Sequence, residues 1–141
     1  MRASVLLRIA AALAAIQGIV HGTLFLTAKP RHGPVEEAVV TAMQTNHFNF
    51  AGAMRSYWDF YLGYGLEAGG VCLIEALLLW QIAKIAVQQP TLVRPMIALI
   101  ALANVGHIAL AARYFFYVPI VPDAAIVATL GWAFAAASDS Q

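Results

Sequence analysis

Long apolar runs, broken by a few short polar interruptions, set the pattern of this chain. They run from about Ser4 to Ala28, Tyr57 to Val87, Leu92 to Val118 and Ile120 to Ala137. Neither the twofold alternation of a half-buried strand nor the one-sided stripe of a water-soluble helix is present in these blocks. Each is long enough to cross a bilayer, since roughly 20 residues at 1.5 Å rise cover a hydrocarbon core of about 30 Å. The predicted architecture is therefore all-α, an integral membrane four-helix bundle in antiparallel up-down order. All 141 residues form a single transmembrane domain.

The links sharpen this picture. Pro90 and Pro95 punctuate the passage from the second block to the third, and Pro119 and Pro122 the passage from the third to the fourth. Asp123 is then expected as an early-turn acid of the fourth helix. Links this short make consecutive helices antiparallel neighbours. Only residues 29–56 form a long connection. Within it Pro30, Gly33 and Pro34 precede Val35 to Met43, where Glu36 and Glu37 lead the run. That reads as a short interfacial helix with acids in its first turn, placed in the loop between helices one and two. Aromatic clusters at Phe48, Phe50, Tyr57, Trp58, Phe60, Tyr61 and Tyr64, and again at Tyr114 to Tyr117, suit a belt at one membrane face.

Composition agrees. Hydrophobic residues make up 62% of the chain and charged residues 11%, against a globular norm of about 25% charged. A net charge of +1 without clustered Lys and Arg argues against a nucleic-acid partner. The single cysteine, Cys72, excludes an internal disulfide and a thiolate metal cage. Met1-Arg2 before an apolar run resembles a secretory leader, but Arg8 interrupts that run early, so the block is expected to stay as a first span. Arg2, Arg8, Lys84 and Arg94 fall on the side of the termini, against Lys29, Arg31, Arg55 and Arg113 opposite. With that count tied, the weight of the first helix places both termini in the cytoplasm.

Small side chains line two faces. Gly65, Gly69, Cys72 and Ala76 recur at i, i+4, i+7 and i+11 on the second helix, and Gly18 and Gly22 pair on the first. Such seams let helices approach closely, within one chain or between copies in a homo-oligomer.

Polar residues inside the apolar blocks are the candidate chemistry, because an acid or base at a helix centre costs about 2.5 to 3.5 kcal/mol to insert. His21, Glu67, Asn104 and His107 are the chief ones. Counting along antiparallel helices at 1.5 Å per residue puts all four within about 10 to 21 Å of one membrane face. They are expected to line a shared pocket, covered partly by residues 29–56, that takes a small apolar or lipid-like molecule. Glu67, His107 and His21 are the candidates for acid/base work on a lipid or isoprenoid substrate in an isomerase or transferase type of enzyme. Gln17, Asn104, Asp59, Tyr114 and Arg55 would bind the ligand, and Glu75 would belong to another contact. Each has a plainer role as a hydrogen-bonding or ion-paired side chain between helices. Two further readings use the same groups: haem or metal ligation through His21, His107 and Glu67, with no known signature in the spacing, and a scaffold subunit of a membrane complex. The residues point to no particular cofactor.

The run Met54-Arg55-Ser56-Tyr57-Trp58-Asp59-Phe60-Tyr61-Leu62-Gly63-Tyr64-Gly65, with His21-Gly22 late in the first span, resembles small bacterial four-helix membrane proteins to which no function is assigned. The resemblance covers most of the chain. It implies the architecture and a bacterial inner membrane, and no activity. Size and topology are also similar to the glutathione-using four-span enzymes of lipid mediator metabolism, whose clustered arginines are not matched here.

Overall fold

The computed structural model describes residues 1–138. Its elements are α1 (Ala3–Thr27), α2 (Pro34–Thr45), β1 (His47–Phe50), β2 (Ala53–Ser56), α3 (Tyr57–Ile85), α4 (Arg94–Tyr114) and α5 (Tyr117–Ala136), with a 3₁₀ turn at Thr91–Val93 before α4. The chain is mostly helical, and α1, α3, the turn with α4, and α5 are long and apolar enough to cross a membrane. The chain folds into two compact units, one made of residues 1–17 and the chain from Cys72 onward, the other of residues 18–71.

In the first unit all four long helices contribute to one core. Leu6, Leu7, Ala10 and Ala14 of α1 meet Ala76, Leu79, Ile82 and Ala83 of α3, Ile97 of α4, and Ile126, Leu130 and Ala133 of α5. The alanines let the backbones close up around a few large side chains, so packing and not bulk fills this core. Arg8 lies over the Trp80 ring at 5.5 Å and Arg94 over Phe134 at 4.2 Å, which places two cations on aromatic faces at the rim.

The start of α5 differs from the expectation. The helix begins at Tyr117, and Pro119 and Pro122 both lie inside it. Pro119 falls in the first turn, where backbone N–H groups have no helical partner anyway, so it costs the helix no hydrogen bond. Pro122 forfeits only the bond to the Val118 carbonyl. Asp123 is consequently not a first-turn acid but a buried residue well inside the helix. Only Phe115 and Phe116 separate α4 from α5.

The second unit contains the expected loop helix and one element the hydropathy did not announce. Helix α2 opens on Gly33 at φ 90° with Pro34 in its first turn. Glu36 reaches back to accept the N–H groups of Arg31 and His32, and its ring contact with His32 Nδ1 measures 3.1 Å. The His32 and Arg31 amides, with the His32 ring, hold the Glu36 carboxyl below the usual carboxylate range. Strands β1 and β2 form an antiparallel hairpin with His47 opposite Ser56 and Phe50 opposite Ala53. Ala51 and Gly52 both adopt positive φ, at 51° and 91°, which matches a two-residue turn to the strand twist.

Ser56 then starts α3 with a reciprocal cap. Asp59 accepts the Ser56 N–H at 2.7 Å while Ser56 Oγ accepts the Asp59 N–H at 3.1 Å. The glycine seams are used within this unit. A β-carbon on Gly69 would stand 3.1 Å from the Gly18 carbonyl and 3.2 Å from the Gly22 nitrogen, and one on Gly65 would overlap the Phe25 ring. The faces of Gly65 and Gly69 are thus covered by α1.

Candidate functional site

Within the first unit, five polar side chains from four helices form three contacts. Gln17 of α1 donates its Nε2 to Asp123 Oδ1 of α5 at 2.6 Å. His107 of α4 places Nδ1 at 3.0 Å from the other carboxylate oxygen, Oδ2. One turn earlier on the same helix, Asn104 donates Nδ2 to Glu75 Oε1 of α3 at 2.8 Å and to its own Ile100 carbonyl at 2.9 Å. Cys72 and Glu75 stand within electrostatic range of Asp123.

Burial separates the members. The Asp123 side chain is 1% exposed, whereas that of His107 is 48% exposed. Asn104 is buried and Glu75 half-buried. The imidazole is therefore the open edge of a site whose carboxylate is sealed. His107 Nδ1 and Asp123 Oδ2 are at ion-pair distance. Among the described residues Oδ2 has no hydrogen-bond partner besides that ring. A buried acceptor in that state carries a desolvation cost that an incoming proton or donor relieves.

Three of the residues singled out from the sequence belong to this cluster: Gln17, Asn104 and His107. The others stand elsewhere. Glu67 is exposed on α3. His21 is half-buried, its ring 4.8 Å from that of Phe25, which in turn lies 4.9 Å from Tyr61. Asp59 caps α3, and Arg55 donates to the Met54 carbonyl at 2.8 Å. Tyr114 is 71% exposed beneath the Arg113 guanidinium. The two carboxylates of the site, Asp123 and Glu75, were not among the expected site residues. A signal for Asp123 was available, since an acid six residues into a proline-tolerant helix start has no solvent to face.

Among the described residues no three His, Cys, Asp or Glu side chains are gathered as a metal site would need. An open groove of this unit lies at the chain's beginning, bordered by Met1, Arg2, Ser4, Ala86, Val87 and Pro90, and none of the five polar side chains lines it. The most exposed member of the cluster is His107. No family model, curated protein or solved structure matches this chain.

Proposed function

We propose that the chain is a four-span integral membrane protein of a bacterial inner membrane, its helices running up and down with both termini cytoplasmic. Its polar cluster takes a small lipid-like molecule by the polar head. The outer surface supports insertion: Ile16, Leu24, Leu77, Leu99, Leu102 and Trp132 are each more than half exposed, an apolar coat that water would penalise and lipid would not. Gln17, Glu75 and Asn104 each sit about 15 Å from an end of their helix at 1.5 Å per residue, which is mid-bilayer depth. Polar groups there are costly unless they serve a purpose.

The observation that carries the binding reading is the asymmetry at His107. Its ring is half open to the outside while its other face meets a carboxylate that is fully sealed. An apolar molecule lying against α4 with a hydroxyl, carbonyl or amine at its head would find one hydrogen-bonding partner in an otherwise hydrocarbon wall. Purification in mild detergent followed by native mass spectrometry tests this. Wild type is expected to retain a small lipid-like adduct that His107→Ala and Asp123→Asn lose and Glu67→Gln keeps. Bare wild-type protein, or the same adduct on wild type and all three variants, would overturn the reading.

A further inference from the structure

We infer that His107 and Asp123 form a proton-exchange pair, in which His107 Nε2 takes a proton from, or returns it to, the polar head of the bound molecule. This deepens the binding reading above and rests on it for the identity of the proton donor. The geometry of the pair itself stands apart from any ligand.

Four features lead to the pair. First, Asp123 is immobilised, because Gln17 Nε2 holds Oδ1 at 2.6 Å. Second, Oδ2 has no hydrogen-bond partner besides the His107 ring among the described residues, and Nδ1 stands 3.0 Å from it, within reach of a directed bond. Third, Asp123 is sealed at 1% exposure while His107 is open at 48%, so the ring links the carboxylate to the outside. Fourth, Asn104 bonds both Glu75 and the Ile100 carbonyl, which fixes the α4 face carrying His107 one turn later. The groups facing the ring and its carboxylate are Gln17 from α1, Cys72 and Glu75 from α3, Asn104 on α4, and Asp123 on α5.

The step is a single proton movement. The lone pair on Nε2 accepts a proton from an O–H or N–H of the bound molecule, whose electron pair stays behind on that oxygen or nitrogen. The imidazolium then directs Nδ1–H to Asp123 Oδ2, and the negative carboxylate offsets the new positive charge where hydrocarbon would not. Reversal returns the proton from Nε2, and no oxidant, reductant or co-reactant enters. Asp123 and Gln17 are positioning residues: the first selects which ring nitrogen keeps its hydrogen, the second holds the first in place.

Nitrogen-15 NMR of histidine-labelled protein in lipid nanodiscs, with no ligand added, reads the ring directly. His107→Gln assigns the signal among the four histidines. In wild type the neutral ring is expected to carry hydrogen on Nδ1 and leave Nε2 bare. In Asp123→Asn the preference should move toward Nε2–H by about tenfold, the ratio one charge-assisted hydrogen bond supports, and diethyl pyrocarbonate should label His107 correspondingly more slowly. Gln17→Leu, which keeps the carboxylate, should fall between the two and guards against misfolding of the first variant. An Nε2–H ring in wild type, or a ring unmoved by both variants, would overturn the pair. Because no ligand is present, such a result leaves the native-mass measurement untouched. Loss of the adduct with an intact Nδ1–H ring strikes only the binding reading.

Discussion

Helix α3 carries two glutamates two turns apart, and they meet opposite fates. Glu75 is half-buried and accepts the amide of Asn104 at 2.8 Å, while Glu67 is exposed. Both occupy the same apolar helix, and both are equally expensive for a bilayer by residue type. What distinguishes them is a partner on another helix. On α1 the same holds for Gln17, whose partner is the Asp123 carboxylate of α5. A polar residue in an apolar helix joins this cluster only when a second helix supplies the complementary atom.

Removing the central partner should break this contrast most severely. Asp123→Ala leaves the Gln17 amide facing an emptied, sealed position, and losing a hydrogen bond to a charged group in this way costs about 1.5 to 3 kcal/mol. Unfolding in mixed micelles measures it, and Glu67→Ala in the same assay should stay within about 0.5 kcal/mol of wild type. Equal losses at the two positions would erase the distinction between partnered and exposed acids.

Next in size is the glycine seam of the second unit. Gly69→Val places branched carbons against the Gly18 and Gly22 backbone, and such overpacking costs about 1 to 3 kcal/mol. Gly63→Val, at an open position on the same helix, should cost less in the same unfolding assay. Asn104→Ala follows, with about 0.6 to 1.7 kcal/mol for an interhelical hydrogen bond in a bilayer. Glu75→Gln should cost less than Asn104→Ala, because a Gln carbonyl can still accept the Asn104 amide.

The smallest effect belongs to α2. The Glu36 carboxyl is held below its ordinary range by the His32 and Arg31 amides, so its contribution is present above the ordinary carboxylate pKa and fades as pH falls through the lowered folded value. Amide exchange at Arg31 and His32 should quicken as the pH drops through that window. Glu36→Gln should flatten the dependence, and an unchanged profile would detach the helix start from its acid.

Much of the fold was legible because its causes are local. Apolar length gave the four long helices to within a few residues, and the acids after Pro34 gave α2. The hairpin was missed, since Phe48, Phe50 and Tyr57 suited an aromatic belt equally well and Ala51-Gly52 is a weak turn signal without Asn or Asp before the glycine. Asp123 was misplaced because prolines were read as helix stops, although Pro119 in the first turn removes no bond that exists and Pro122 removes only one.

By itself the sequence determined that four apolar helices form, that polar groups interrupt them, and that glycines on two faces allow close approach. Those properties follow from hydropathy and residue size, which each residue carries wherever it goes. Only the tertiary structure decided that Asn104 meets Glu75, that His107 meets Asp123 and that Gln17 reaches the same carboxylate. Such pairings depend on how far each helix is rotated about its axis and which neighbour it packs against, and a step of one residue turns a side chain by about 100°.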